Sequence, residues 1–153
     1  MILSAQSIEN YIKHGLVIMP FVNEKAVYNG MSYGLSAAGY DIRIKQTVVV
    51  PAGQYVLAST IEYLEIPTDL LVKLADKSSW ARRGVCVQNT IFEPGWRGYP
   101  TLEISNHGPA AVQVHAGSPI GQLIFHKLDH PTRIPYQGKY QDQPDKPVGA
   151  KYE

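Results

Sequence analysis

The chain has 153 residues and a mass of 17.0 kDa, the size of one domain with a hydrophobic core. Hydrophobic residues make up 44% and charged residues 18%, which excludes a disordered chain, and the net charge of +1 argues against a nucleic-acid partner. The single cysteine, Cys86, excludes an internal disulfide framework and a multi-cysteine zinc site.

The first residues contain no basic segment followed by an apolar stretch, so no secretory signal is evident. No run approaches the roughly 20 apolar residues that a membrane-spanning helix needs. We therefore expect a cytoplasmic protein without a membrane partner.

The predicted elements begin with one helix. Ser4 suits an N-cap, the apolar residues after it recur at helical spacing, and Gly15 suits a helix end, which predicts a helix over residues 4–14. Residues 23–38 are rich in Asn, Gly, Ser and Tyr without periodicity, which predicts a loop.

Short apolar or alternating runs, separated by Pro and Gly, predict strands up to residue 128. The predicted strands are residues 16–21, 39–44, 47–50, 54–60, 62–66, 70–74, 85–87, 101–105, 112–115 and 121–128. Such close spacing is typical of a β-sandwich, a jelly roll or a barrel. In the apolar run at 85–87 we expect Cys86 to be a small buried side chain.

The tail, residues 130–153, differs in composition, with four prolines, three tyrosines and many polar side chains. It cannot bury much surface by itself, so it is either a flexible arm or a flap ordered by a ligand or a neighbouring subunit. We predict one domain, in which residues 1–129 form the β-barrel and the tail is its C-terminal arm.

The stretch from residue 76 to 106 carries the most chemistry. A polar turn precedes Arg82, a short strand and a Pro-Gly turn, and the chain then returns as an alternating strand with Glu103 on its polar face. A single hairpin is therefore expected to bring a carboxylate, hydroxyls and a guanidinium group together.

Taken together, these segments resemble the trimeric deoxynucleotide enzymes that include dCTP deaminases and dUTPases. The resembling stretches, in chain order, are MILSAQSIENYI, SAAGYDIRI, DKSSWARRG, EPGWRG, TLEISN, IGQLIFHKL and GKYQDQPDKPVGA. The resemblance implies a mainly β, distorted jelly-roll or barrel subunit of dUTPase-like fold, with one short N-terminal helix and a C-terminal flap. It also implies a homotrimer with active sites between chains, and dCTP or dUTP as the substrate, bound with Mg²⁺.

The resemblance implies dCTP deamination with three catalytic residues. Glu103 matches the glutamate that shuttles a proton, Ser78 the serine that holds the attacking water, and Arg82 the arginine that stabilises developing charge. The plainer interpretations are that Glu103 is a solvent-facing glutamate on a strand and that Ser78 is a turn residue. No zinc is implied, because zinc deaminases need a Pro-Cys-x-x-Cys pair that one cysteine cannot supply.

Further residues match substrate-binding positions of the family. They are Lys77, Ser79, Trp96, Gln122, Lys139, Tyr140 and Gln143. Trp96 would lie against the deoxyribose, and the others would contact the phosphates. Asp41 is either an outer-shell partner of magnesium or a buried structural carboxylate.

Two departures from the family pattern keep other activities open. Residues 88–92 form a shorter loop than is typical, and that loop helps to hold the base. Glu93 stands where dUTPases carry a water-activating aspartate, and the extra methylene displaces its carboxylate by about 1 Å. The alternatives are a dUTP or dCTP pyrophosphatase with Glu93 as base, a bifunctional enzyme, or a non-catalytic nucleotide-binding regulator.

Overall fold

A computed structural model describes residues 1–152, with two helices and fourteen strands among them. Helices α1 and α2 cover Ala5–Ile12 and Ser78–Ala81. Strands β1 to β14 are Val17–Met19, Lys25–Tyr28, Met31–Ser36, Gly39–Arg43, Val48–Val50, Tyr55–Ser59, Tyr63–Glu65, Leu70–Asp76, Val85–Val87, Ile91–Phe92, Arg97–Gly98, Thr101–Asn106, Val112–Val114 and Pro119–Lys127. The predicted mainly β class is confirmed.

The strands of this part of the chain pair into four sheets. The largest has the order β10-β8-β14-β4-β3-β2, two others are β1-β7-β11 and β6-β12-β9, and β13 pairs with β5. Paired strands are antiparallel throughout. The core lies between the sheets, and its largest fully buried side chains include Tyr40, Phe125, Ile42 and Leu102.

Helix α1 confirms the predicted N-terminal helix with narrower bounds than residues 4–14. Ser4 has extended backbone angles before the first turn, and the chain leaves the helix through a turn that ends at Gly15, whose φ is +123°. Ile8 of this helix is fully buried, and the Tyr11 hydroxyl donates a 2.6 Å hydrogen bond to Asp69. The helix is thus fixed against the turn that precedes β8.

The prediction of a loop over residues 23–38 is wrong, because β2 and β3 form a hairpin there. Tyr28 lies opposite Met31, and the two residues between them, Asn29 and Gly30, have φ of 47° and 76°. Asn-Gly is the preferred pair for a two-residue turn whose twist matches antiparallel strands. The Asn-Gly pair was the sequence signal for this hairpin. The periodicity of apolar residues was weak, because β2 is an edge strand with little buried surface.

The arms of the hairpin predicted around Glu103 do pair, with Val87 of β9 opposite Ile104 of β12. The segment between them is longer than a turn, because it contributes β10 to the largest sheet and β11 to another. Leu102 and Ile104 are fully buried, whereas Cys86 is only partly buried. The expectation of a buried thiol is therefore wrong, since Cys86 lies on the face of β9 opposite its buried valine neighbours.

The tail runs along β11 of its own chain. The Tyr99 amide donates to the Gln143 carbonyl and the Asp142 amide to the Arg97 carbonyl, each at 3.0 Å. A Cβ on Gly98 would lie 2.5 Å from the Gln143 amide nitrogen, and the φ of Gly98 is +142°, so glycine is required for this approach. The division between a barrel and an arm at residue 129 stays a prediction.

Within residues 1–152, none of the helices has the length and apolar character required to cross a membrane.

Candidate active site

Glu103 faces a cavity of about 660 Å³ that is called the Glu103 cavity below. Its walls come from β6, β12, the loop at residues 88–93, and the tail. Aromatic and aliphatic side chains line most of it, among them Tyr55, Leu57, Phe92 and Trp96. A mostly apolar cavity of this size with a few polar groups is suited to a small ligand such as a nucleoside.

The Glu103 carboxyl is partly buried, and burial raises its pKa above that of an ordinary glutamate. Within residues 1–152 no Lys, Arg or His nitrogen lies within 4.0 Å of this carboxyl. Both peptide groups of the residue are held, because its amide donates to Asn89 Oδ1 at 3.1 Å and its carbonyl accepts from the Gln88 amide at 2.9 Å. A carboxyl of raised pKa on a fixed backbone is suited to taking up and returning a proton.

Glu93 lines the same cavity, as an exposed residue at the end of the loop. The structure therefore brings the two candidate bases, Glu93 and Glu103, to one cavity. Trp96 lies nearby with 4% of its surface exposed, its ring centroid 4.9 Å from that of Phe92. Trp96 is thus both a core side chain and a wall of the cavity.

The tail closes one side of the Glu103 cavity, where Thr101 and Trp96 bond to it. The Thr101 hydroxyl donates to Gln143 Oε1 at 2.8 Å and accepts from the Val148 amide at 3.0 Å. Trp96 Nε1 donates to the Tyr140 carbonyl at 2.8 Å. Of the three residues predicted to clamp phosphates, Tyr140 and Gln143 line the cavity, whereas Lys139 is exposed outside it.

Most other predicted substrate-binding residues line a second cavity, of about 740 Å³, called the Ser78 cavity below. It lies where α2, β4 and β14 meet, beside the β2–β3 hairpin. The residues that the sequence predicted there are Lys77, Ser78, Ser79, Gln122 and Asp41. Arg82 Nε donates to Ser78 Oγ at 3.2 Å, which places that pair at the edge of the cavity.

Asp41 is committed to an ion pair. Lys77 Nζ lies 3.2 Å from Asp41 Oδ1, and both side chains are largely buried. Burial raises the pKa of Asp41, while the nearby Lys77 ammonium opposes that shift. The carboxylate is thus paired with a cation of the chain, which fits a structural carboxylate, and an outer-shell role toward magnesium stays a prediction.

One chain does not bring the three predicted catalytic residues together, and the hairpin prediction is wrong on this point. The Glu103 cavity and the Ser78 cavity share no lining residue. The physical reason is the sheet pairing: Ser78 follows β8 of the largest sheet, whereas Glu103 lies on β12 between β6 and β9. Strand periodicity predicts the face of a residue but not the sheet to which its strand belongs.

Sequence reasoning gave no role to three polar residues of these cavities. Asn89 contacts the backbone of β12, Thr101 anchors the tail, and Lys25 lines the Ser78 cavity. Thr101 shares the predicted face of Glu103, so its position was available from strand alternation. Lys25 lay in the supposed loop, and the contacts of Asn89 depend on the register between β9 and β12.

A family model described as dCTP deaminase-like matches residues 40–128 of the chain. The dCTP deaminase of Acidobacterium capsulatum is 38% identical in an alignment that covers 83% of this chain and 87% of that protein. The chain belongs to the dCTP deaminase-like family. Another relative, the dCTP deaminase of Campylobacter fetus subsp. fetus, is 36% identical in an alignment that covers 90% of this chain and 89% of that protein.

Solved structures similar to this dCTP deaminase-like chain include dUTPases. The native EIAV dUTPase has a TM-score of 0.60 and 18% identity, covering 81% of this chain and 98% of its own. A mutant dUTPase from phage phi11 of S. aureus, described with a structural Mg(II) ion, has a TM-score of 0.60 and 16% identity, covering 80% and 97%. These likenesses confirm the predicted dUTPase-like fold.

Proposed function

We propose that this chain catalyses the hydrolytic deamination of dCTP to dUTP and ammonia. The observation that carries the proposal is the carboxyl of Glu103, partly buried, of raised pKa and without a counter-ion among residues 1–152, in a cavity of nucleoside size. Membership of the dCTP deaminase-like family supports the same reaction. An enzyme of this class acts on a cytosolic nucleotide pool, which supports a cytoplasmic location.

In the proposed reaction Glu103 carries the protons. The carboxylate accepts a proton from water as the oxygen adds to C4 of cytosine, and it passes this proton to N3. It then accepts the second proton from the C4 hydroxyl and transfers it to the exocyclic amine, so that the C4 carbonyl forms, the C4–N bond breaks and ammonia leaves. The net reaction consumes one water, and Glu103 is regenerated as a carboxylate.

Ser78 and Arg82 are proposed to act from a second copy of the chain. Ser78 would hold the attacking water, and the Arg82 guanidinium would stabilise charge that develops near the ring. Two separate cavities in one chain support a composite site, because each lacks the groups that the other holds. We therefore propose a homotrimer with active sites between chains.

The remaining predicted residues would bind the nucleotide. Lys77, Ser79 and Gln122 would contact its phosphates, and Trp96 would lie against the deoxyribose. The tail residues Lys139, Tyr140 and Gln143 would close over the triphosphate. Mg²⁺ would enter with the nucleotide and offset phosphate charge; residues 1–152 contain no cluster of three or more metal-binding side chains to hold a resident ion.

A second candidate activity rests on Glu93, which lines the same cavity as Glu103. A base at this position could direct water against the α-phosphate of dUTP and release pyrophosphate. The chain would then be a dUTP pyrophosphatase or a bifunctional enzyme.

The proposal is tested by incubating the purified protein with Mg²⁺ and either dCTP or dUTP. Nucleotides are resolved by chromatography while ammonia and pyrophosphate are assayed. Ammonia with accumulating dUTP is the expected result. Pyrophosphate from dUTP, without ammonia from dCTP, would assign the reaction to Glu93 instead.

The composite site is tested by mixing two inactive variants, Ser78→Ala and Glu103→Gln, and allowing their subunits to exchange. If each site takes one residue from each of two chains, about one quarter of the sites in a one-to-one mixture regain both native groups. If one chain supplies both residues, the mixture stays inactive. As the control, two separately purified preparations of the same variant are mixed with each other.

A further inference from the structure

Main-chain pairing between β9 and β12 ends beside Glu103. The last bond of the ladder runs from the Gln88 amide to the Glu103 carbonyl at 2.9 Å. The next contacts are made by a side chain: Asn89 Oδ1 accepts from the Glu103 amide at 3.1 Å, and Asn89 Nδ2 donates to the Thr101 carbonyl at 2.6 Å. The carboxamide of Asn89 therefore takes the place of a peptide group in the ladder.

The orientation of this carboxamide is fixed by its partners. An amide N–H requires an acceptor and a carbonyl requires a donor, so the oxygen must face Glu103 and the nitrogen must face Thr101. Aspartate retains only the acceptor, and alanine or leucine retains neither. Asparagine is therefore matched to both contacts at once.

These two bonds hold β12 at Glu103. They act along the edge of β12 where main-chain pairing with β9 has ended. On the other edge, β6 places Leu57 opposite Glu103 and Ser59 opposite Thr101. Glu103 is thus held on both sides of its strand. Residues 88–90, where the ladder ends, line the Glu103 cavity.

We propose that Asn89 is a positioning residue that fixes the backbone of Glu103 and directs the loop at 88–90 toward the pyrimidine base. The inference rests on the proposed deamination and deepens it. Asn89 uses both amide atoms within the chain, so it acts on the reaction through Glu103 and the loop rather than by touching the base.

The test compares Asn89→Ala and Asn89→Asp with the wild-type chain. Both variants are expected to lower kcat for dCTP deamination about 10- to 100-fold, because a displacement of about 1 Å in a reacting group has an effect of that order. KM for dCTP is expected to change less than about threefold. Asn89→Asp adds a negative charge near Glu103, so the acid limb of its pH–rate profile should move to higher pH.

A matched control is available on β12, the strand that carries Glu103. Asn106 also bonds backbone groups with both amide atoms, donating to the Val50 and Ala110 carbonyls and accepting from the Gly108 amide. It does not line the Glu103 cavity. Asn106→Ser is expected to lower the melting temperature without moving the pH–rate profile, which separates lost structure from lost positioning.

A second readout is independent of activity. The Glu103 carboxyl is titrated by ¹³C NMR in the nucleotide-free wild type and in Asn89→Ala, with assignment by Glu103→Gln. Release of the loop should admit water and return the titration of Glu103 toward that of an ordinary glutamate. If Asn89→Ala leaves both kcat and this titration unchanged, the positioning role is wrong. If the wild type releases no ammonia but the titration moves, the deaminase proposal fails while Asn89 still positions Glu103.

Discussion

The ammonium of Lys77 lies 3.2 Å from the carboxylate of Asp41, with 11% and 9% of their side-chain surfaces exposed. This pair joins the start of α2 to β4 across the Ser78 cavity. A phosphate bound in this cavity would share the Lys77 ammonium with the Asp41 carboxylate. Lys77 also stabilises that buried carboxylate.

Replacing Lys77 with methionine is expected to destabilise the fold by about 3–5 kcal/mol, because one partner of a buried ion pair is left uncompensated. Urea unfolding followed by circular dichroism measures this change. The double variant Asp41→Asn, Lys77→Met removes both charges and should recover a large part of the loss. A cost below about 1 kcal/mol for the single variant would show that solvent reaches the pair freely.

Lys25 is the cation of the Ser78 cavity that has no ion-pair partner within residues 1–152. If this cavity receives the triphosphate, Lys25→Ala should raise KM for the nucleotide about fivefold, since an exposed charge contact contributes about 1 kcal/mol. The melting temperature should not change. Lys13→Ala, at an exposed lysine after α1, is the matched control. An equal rise of KM in both variants would indicate only a loss of general positive charge.

Gly98 permits the tail to pass over β11, so Gly98→Ala is expected to displace it. The new Cβ would meet the Gln143 amide nitrogen at 2.5 Å in a backbone conformation that alanine rarely adopts. Limited proteolysis should then cleave within the tail, at Arg133 or Lys139, faster than in the wild type. Gly149→Ala, where the added Cβ meets no atom within 4 Å, should retain wild-type protease resistance.

If the displaced tail is a flap, Gly98→Ala should also raise KM and lower kcat, as should truncation at Pro135. Rapid cleavage with unchanged kinetics would show that the tail is an arm without a role in turnover.

Much of the fold could be predicted from the sequence because apolar runs and Pro-Gly breaks bound most strands. The β2–β3 hairpin could not be found by periodicity, because an exposed edge strand shows no apolar face. The Asn29-Gly30 turn was the physical signal there. The composition of the surrounding residues alone does not reveal this turn.

The candidate site was predictable only residue by residue. Motifs selected Glu103, Ser78 and Trp96, but no local pattern specifies that β8 and β12 belong to different sheets. The placement of Glu103 and Ser78 in separate cavities therefore had to come from the structure. The role of Asn89 depends on where the β9–β12 ladder ends, which is likewise a property of strand register.

Glu103→Gln is expected to lower ammonia release from dCTP by about a thousandfold, a loss typical of removing a general acid–base group. Binding of dCTP, measured by calorimetry, should remain, because glutamine keeps the size of the side chain. Glu93→Gln tests the other carboxylate of the cavity: it should remove any pyrophosphate release from dUTP while ammonia release persists. If Glu93→Gln loses ammonia release while Glu103→Gln retains it, Glu93 and not Glu103 carries the proton in deamination.

The raised pKa of Glu103 also predicts a pH-dependent stability. Burial disfavours the ionised carboxylate, so the stability that Glu103 contributes is fully present below the ordinary glutamate pKa of about 4.3 and is lost as pH rises through the higher folded pKa. Glu103→Gln cannot ionise, so it should exceed the wild type in stability at pH 8 and approach it at pH 4. Urea unfolding at a series of pH values measures the difference, with Glu24→Gln, at an exposed glutamate, as the control. A stability difference that stays constant with pH would show that ionisation of Glu103 is not its origin.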